Sequence, residues 1–386
     1  MKICLINNLY KPYSRGGAER IVETVAEGLK KAGHKVFVVS TQPIKGVQPP
    51  IGVWTPKLYT FYPWNIISYY NLSKLPKFIR PLWHLINIFN IQSYFKIKKI
   101  LRAEKPDIVM THNLMGVGFL TPLAIKKCGI KHIHTLHDIQ LLHPSGLMFV
   151  NKENKINSVF AKIYQAINKK LFSKIDIVIS PSKWLMQMHV KQEFFGKAKR
   201  VVLQNPVQNS EFRNKNLEND SNDKFIFLYV GQIEKHKGME LLVEAFNDLN
   251  NNSQLWIVGD GNHKLQITSN KTDDVKLLRK KSSTEVQKLM READCLIVPS
   301  LCYENQPTVI FEAMQNNLPV IGSDIGGIPE LLDEKFLFKA GDSKDLVDKM
   351  RWVINNKDEL GKLADNTRLK VKDLSVENYI DKILSL

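Results

Sequence analysis

The sequence predicts an α/β protein built from two doubly wound, Rossmann-like domains, and three observations carry that prediction. The chain has 386 residues, too many for one ordinary hydrophobic core and comfortable for two. Short apolar runs of strand length alternate with longer amphipathic stretches, the pattern of repeated βα units on a parallel sheet. The alternation breaks once, at 205–224, where Asn, Asp, Glu, Lys and Ser dominate as they do in an exposed linker.

The first series opens with the strand-like run Lys2–Ile6 and a loop containing Gly16 and Gly17. An amphipathic stretch follows at 18–31, with Ile21, Val22, Val25 and Leu29 at helical spacing, and Gly33 closes it. Residues 35–40 are again strand-like, which completes a parallel βαβ unit. Further strands are expected at 108–111, 131–135, 175–180 and 200–203. The second series has expected strands at 225–230, 255–258, 275–278, 295–299, 320–322 and 336–338, with helices at 239–249, 284–291 and 308–316. The expected domains are therefore 1–205 and 206–370, with a C-terminal helix in 371–386 able to cross back to the first. Ligands of such sheets bind outside the carboxyl ends of the strands, so the two sets of strand ends are expected to face each other across a cleft.

Composition narrows the class. Apolar residues are 44% and charged residues 24%, which excludes a disordered or fibrous chain. Cys4, Cys128, Cys295 and Cys302 lack the spacing of a zinc knuckle or a dithiol motif, so a reducing compartment is expected. No apolar run reaches the length of a signal peptide core or a membrane span. A cytoplasmic protein, peripheral on the inner face of the plasma membrane, is the resulting expectation.

The net charge of +17 points to an anionic partner or surface. It is concentrated: between Glu27 and Glu104 there is no acidic residue but there are twelve Lys or Arg. The same region holds Trp54, Tyr59, Phe61, Tyr62, Trp64, Tyr69, Tyr70, Phe78, Trp83, Phe89, Tyr94 and Phe95. Rings interleaved with cations suit the headgroup layer of an anionic bilayer. Segment 54–99 is expected to face a membrane or a lipid-linked acceptor, with rings such as Trp83 and Phe89 packing under the first sheet. No nucleic-acid module accompanies it, so nucleic acid is not an expected partner.

The densest chemistry lies in 299–314, PSLCYENQPTVIFEAM. A strand ends at Pro299, a loop carries Glu304, and a helix is expected to start with Pro307 at its first position, where a missing N–H costs nothing. The amides of Thr308 and Val309 would then face an anion such as a phosphate. Glu304 and Glu312 flank that seat, and carboxylates accept hydrogen bonds from pairs of sugar hydroxyls. Here the sequence resembles the family-four retaining glycosyltransferases, whose signature is two glutamates separated by seven residues. The chain has Glu304 and Glu312, then Ala313, Pro319-Val320 and Gly326-Gly327-Ile328-Pro329-Glu330. The resemblance extends to Gly16-Gly17-Ala18-Glu19-Arg20, Pro106-Asp107, His137-Asp138, Asn205-Pro206, Val230-Gly231 and Lys237-Gly238.

The resemblance implies the GT-B fold, with the donor nucleotide held mainly by the second domain. It implies that Glu312 binds the ribose, Glu304 a hydroxyl of the transferred sugar, Thr308 and Val309 the diphosphate, and that Lys237 neutralises the leaving group. It also makes His137 the histidine beside the reacting sugar. Asp138 is expected to orient His137 or the acceptor, with His134 and His143 as weaker candidates. Gly16 and Gly17 would let the backbone approach a diphosphate or sugar. Two positions depart from the family: Gln232 stands where Arg is usual, removing a bidentate phosphate clamp, and Arg279 stands where Gly is common. Gly259-Asp260-Gly261 fits the family's loop.

The activity that the resemblance implies is transfer of a sugar, with retention and without a metal, from a nucleotide-sugar, expected to be a UDP-sugar. The acceptor would be lipid-linked or a glycolipid, in cell-surface polysaccharide assembly. No cofactor is expected, the nucleotide-sugar being a substrate. Retaining enzymes of this fold lack an obvious protein nucleophile and nothing here supplies one, so the resemblance implies that the leaving diphosphate takes the acceptor's proton while the site stabilises charge. A nucleotide-sugar epimerase of the same fold and a weakened donor-binding partner subunit are the alternatives. A nicotinamide-dependent dehydrogenase is disfavoured because neither glycine loop has the GxGxxG spacing.

Overall fold

The computed structural model describes residues 1–45, 56–207, 224–249, 252–261, 274–357 and 373–386. Trp54 and most of the expected linker at 205–224 lie outside the described residues. The chain forms two compact units. The first comprises Met1–Leu147, Asn154–Pro206 and Val376–Leu386; the second comprises Met148–Glu153 and Val207–Ser375. The short segment 148–153, placed by the sequence in the first domain, thus belongs to the second. It is held there by an antiparallel bridge from Phe149 to Cys302 and by backbone hydrogen bonds to Leu301 and Tyr303.

The first unit carries strands β1 (Lys2–Ile6), β2 (Lys35–Thr41), β3 (Lys57–Phe61), β4 (Ile108–Thr111), β5 (Lys131–Thr135), β6 (Ile177–Ser180) and β7 (Lys199–Val202). They form one parallel sheet in the order β3-β2-β1-β4-β5-β6-β7. Strand β3 was not anticipated. At the sheet edge its residues are mostly half-buried, so it lacks the unbroken apolar run of a central parallel strand. Residues 175 and 176 stand just ahead of β6, and the Asp176 carboxylate instead accepts from the His132 amide at 2.8 Å.

Helices α1 (Gly17–Lys31), α2 (Arg80–Ile88), α3 (Ile91–Glu104), α4 (Thr121–Lys127), α5 (Val159–Leu171) and α6 (Lys183–Lys191) accompany this sheet. The last helix of the chain, Val376–Leu384, also belongs to this unit and buries Tyr379, Ile380 and Ile383 against the core that includes Val25 and Leu29 of α1. Gly28 permits the approach, since a Cβ there would fall 2.4 Å from Val376 Cγ1.

The second unit carries β8 (Phe225–Val230), β9 (Ser253–Val258), β10 (Val275–Leu277), β11 (Cys295–Val298), β12 (Val320–Ser323) and β13 (Leu337–Phe338), ordered β10-β9-β8-β11-β12-β13 and all parallel. Its helices are α7 (Met239–Asp248), α8 (Ser283–Glu292), α9 (Thr308–Gln315) and α10 (Ser343–Asn355); the closing helix Val376–Leu384 is α11. In both sheets the winding direction reverses once, between β1 and β4 in the first and between β8 and β11 in the second. Loops leaving neighbouring strands there diverge and open a crevice at the carboxyl ends.

Candidate active site

The second unit assembles its chemistry at that reversal. Lys237 stands in the 3-10 turn Lys235–Lys237 after β8, and Glu304 in the loop after β11. Although 67 residues apart, Lys237 Nζ and Glu304 Oε1 meet at 2.5 Å. Ser300 Oγ donates to the same carboxylate oxygen at 3.0 Å, with Cys302 Sγ at 3.8 Å. The two loops are tied by the Leu301 and Cys302 amides, which both donate to the His236 carbonyl at 3.0 and 3.2 Å. Gly238 makes the fit possible: its φ is +75°, and a Cβ would stand 1.7 Å from the Pro299 carbonyl oxygen, so no other residue fits without moving the backbone. Glu304's own carbonyl accepts from the Gly327 amide at 2.8 Å, which anchors the loop to the GGIPE stretch.

Burial would raise the Glu304 carboxyl, yet the Lys237 ammonium and the hydrogen bonds from Lys237 and Ser300 hold it below the usual carboxylate range. Burial would likewise lower Lys237, but Glu304 lifts it above its ordinary value. Burial pushes the neighbouring Cys302 thiol up to about 12, so it remains protonated. The pair is therefore ionised at neutral pH. An ionised carboxylate can grip sugar hydroxyls, and an ammonium can neutralise a departing phosphate.

Helix α9 begins at Thr308. Pro307 is the residue before the helix and not its first member, as the sequence had suggested, because its ψ of 114° is extended. No side chain caps this end, so Thr308 and Val309 sit in an uncapped first turn with its positive dipole end. Glu312 is half-buried just over one turn along, and Asn316 Nδ2 donates to its carbonyl at 2.8 Å. Gln232 is exposed, and its carbonyl accepts from the Tyr229 hydroxyl at 2.7 Å. Arg279 adopts a left-handed φ of +54°, and its carbonyl accepts from the Gly259 amide at 3.0 Å.

In the first unit the reversal between β1 and β4 is lined with buried polar residues that sequence reasoning passed over. Asn7 and Asn8 follow β1, and His112 and Asn113 follow β4. The Asn113 amide donates to Asn7 Oδ1 at 3.0 Å, and the Asn8 amide donates to the Asn113 carbonyl at 2.9 Å. Gln140 joins them, donating to Asn113 Oδ1 at 2.6 Å. Their signal was available: polar pairs placed directly after a mostly apolar, strand-like run. His137 lies two residues past β5, its Nε2 3.0 Å from His112 Nδ1. Burial pushes His137 down to about 4, so it is neutral at pH 7. Asp138 Oδ1 accepts from the Gln140 amide at 2.7 Å, and burial raises this carboxyl to about 6.

His134 is buried against Phe172 and Phe195 and bonds Thr111 Oγ1 at 2.8 Å; His143 Nδ1 meets Ser145 Oγ at 2.8 Å. Gly16 precedes α1, and its amide donates to the buried Glu19 carboxyl group at 2.8 Å, which caps the first turn from within. Gly17 is exposed.

The basic aromatic segment divides in two. Trp83 is fully buried, its Nε1 donating to the Ile67 carbonyl at 2.7 Å. Phe89, expected in the core, is 47% exposed, and with Phe78 (82%), Leu82 (53%) and Leu85 (51%) it forms an outward apolar stripe. Leu82 and Leu85 lie on α2 and Phe89 is its C-cap, and their spacing of three and four residues puts them on one helical face, opposite Trp83, Asn87 and Ile88; Phe78 stands in the turn just before the helix. No helix among the described residues is long and apolar enough to cross a membrane. Among the described residues no group of three or more His, Cys, Asp or Glu could hold a metal.

A family model described as Glycosyltransferase Family 4 matches residues 15–211, just over half of the chain, and one described as Glycosyl transferases group 1 matches 209–370. The chain belongs to glycosyltransferase family 4. Among curated relatives, the transferase is 28% identical over 338 residues to an uncharacterised 42.6 kDa protein in the cps region of Klebsiella pneumoniae, covering 86% of this chain and 87% of that one. It is 25% identical over 321 residues to the UDP-Gal:alpha-D-GlcNAc-diphosphoundecaprenol alpha-1,3-galactosyltransferase of Escherichia coli, covering 78% and 79%. Among solved structures, Anabaena HepE in complex with UDP superposes with a TM-score of 0.71 at 16% identity, covering 100% of this chain and 99% of that one. The two parallel-sheet units are thus the GT-B glycosyltransferase architecture.

Proposed function

We propose that this glycosyltransferase moves a sugar from a UDP-sugar, with retention and without a metal, to a lipid-linked or glycolipid acceptor at an anionic membrane surface. The observation that carries the reading is the ionised Lys237–Glu304 pair built by the loops after β8 and β11. In this reading Lys237 turns to the diphosphate once donor binds, Glu304 takes a hydroxyl of the transferred sugar, and Glu312 holds the ribose. Thr308 and Val309 add amides at the uncapped end of α9, and His137 attends the reacting sugar in the first unit. The leaving diphosphate accepts the acceptor's proton, so the protein's part is positioning and charge stabilisation. The UDP-bound neighbour and the relative that acts on a diphosphoundecaprenol-linked sugar support donor and acceptor class. The acid-free segment and the stripe on α2 support the membrane surface.

The test is a panel of UDP-, GDP- and ADP-sugars with and without membrane lipid extract. Acceptor-dependent UDP release with the anomeric configuration kept supports the proposal. Product formed without acceptor would assign an epimerase, and donor binding without turnover would assign a weakened partner subunit, for which Gln232 is the motive.

A further inference from the structure

The buried histidine after β4 has no place in the reading above, yet its geometry acts on a residue that does. His112 is fully buried, and its backbone is fixed from β1: its amide donates to the Ile6 carbonyl at 2.9 Å, and the next amide donates to Asn7 Oδ1 at 3.0 Å. Its ring lies 5.2 Å from that of His137, centre to centre, at an interplanar angle of 34°. The contact runs from His112 Nδ1 to His137 Nε2 at 3.0 Å. His112 Nε2 is buried and has no hydrogen-bond partner among the described residues.

Those facts decide which ring holds the shared proton. A hydrogen bond between two neutral imidazoles contains one proton. If His137 donated from Nε2, His112 would carry its own proton on Nε2, a buried N–H with nothing to receive it. If His112 donates from Nδ1, its Nε2 is left as an unprotonated lone pair instead. Orphaned buried N–H donors are the rarer defect in proteins, so the second arrangement prevails. His137 then accepts at Nε2 and must carry its proton on Nδ1.

We propose that His112 is a positioning residue that locks His137 in its Nδ1–H tautomer, making His137 a hydrogen-bond donor toward the sugar and not a base. The role of His137 rests on the transferase reading, whereas the tautomer does not. Burial holds both rings neutral, consistent with a single shared proton.

The test is long-range proton–nitrogen NMR on histidine-labelled full-length protein, with His137 assigned by loss of its signals in His137→Asn. His137 protonated on Nδ1 in the parent is the expected result; protonation on Nε2 overturns the proposal. In His112→Leu the preference should be lost, while His112→Asn, whose side-chain amide can donate from the place of Nδ1, should restore it. Retention of the pure Nδ1–H form in a folded His112→Leu protein would also overturn it. With UDP-glucose as probe donor and lipid extract as acceptor, His112→Leu should lower kcat at least tenfold with the donor KM unchanged, and His112→Asn should recover most of it. If the tautomer is as stated but His137→Ala turns over like the parent, the site reading fails and the positioning geometry stands.

Discussion

At the scale of single residues, the donor loop makes separable predictions. Glu312→Ala should weaken UDP binding about tenfold or more, because a hydrogen bond to a charged group contributes roughly 1.5–3 kcal/mol. Glu304→Gln should chiefly lower kcat, since contacts to the sugar matter most as it moves. Calorimetry and steady-state rates check both, and parent-like behaviour of the two variants would remove the site. Gln232→Arg should tighten UDP by up to about tenfold through a charge-assisted contact; unchanged affinity would mean that Lys237 or Lys235 already fills that need. Arg279 is a different case. The sequence marked it as an unusual residue, and its φ of +54° supplies the reason a glycine is common there. Arg279→Gly should remove about 1 kcal/mol of left-handed strain, raising the melting temperature by a few degrees. A lower melting temperature would mean that the arginine side chain contributes more than its backbone costs.

At the scale of elements, α2 has two apolar faces and only one is buried. Its outward stripe of Leu82, Leu85 and Phe89, with exposed Phe78 in the turn before the helix, follows exposed Lys74 and Lys77 and leads on to Lys96 and Lys99. In the membrane reading each cation adds about 1 kcal/mol near an anionic surface, and salt screens that part while leaving ring insertion intact. Vesicle co-sedimentation should therefore fall between ~0.1 M and ~1 M salt to a non-zero floor. Lys74→Glu with Lys77→Glu and Arg80→Glu should abolish the salt-sensitive part, and Leu82→Ser with Phe89→Ser the floor. Undiminished pelleting of the charge-reversed variant would refute the membrane surface. Helix α11 is the opposite case, an element whose apolar face is used. Tyr379, Ile380 and Ile383 are buried in the first unit's core, at roughly 1.5–3 kcal/mol each, so deleting 376–386 should cost that unit several kcal/mol in urea unfolding. An unchanged midpoint would show that the helix is dispensable.

At the scale of the whole molecule, the two units differ in their response to acid. The first buries His132, His137 and His189, pushed down by burial to about 3, 4 and 4, with His112 and His134 well below their ordinary range. Unfolded histidines take up protons below about pH 6.5, and the folded ones do not. Stability therefore falls as pH drops from there toward 4, by up to about 1.4 kcal/mol per pH unit for each histidine. Asp138 works the other way: raised by burial to about 6, it adds stability as pH falls from 6 toward its unfolded value, offsetting one histidine. In the second unit His236 is the histidine lowered among the described residues, and it is only half-buried. Hydrogen exchange followed from pH 7 to 4.5 should show β4, β5 and β6 losing protection before β8 and β11; the reverse order would contradict the balance.

Sequence by itself determined the two parallel sheets, because buried parallel strands are continuous apolar runs and the amphipathic helices between them keep a 3.6-residue period. It also determined the Glu304 to Glu312 spacing and Lys237, since each is a local string. It did not reveal β3, whose edge position leaves it half-exposed, or that Phe89 faces outward while Trp83 is buried, because both belong to one aromatic run. Nor did it foresee that Glu19 occupies the amide of Gly16. Only the tertiary structure decided that Lys237 and Ser300 both donate to one carboxylate oxygen of Glu304, and that His112 meets His137. Those pairings depend on which strands stand next to each other where the sheet reverses, and strand order is set by long-range packing that no local pattern contains.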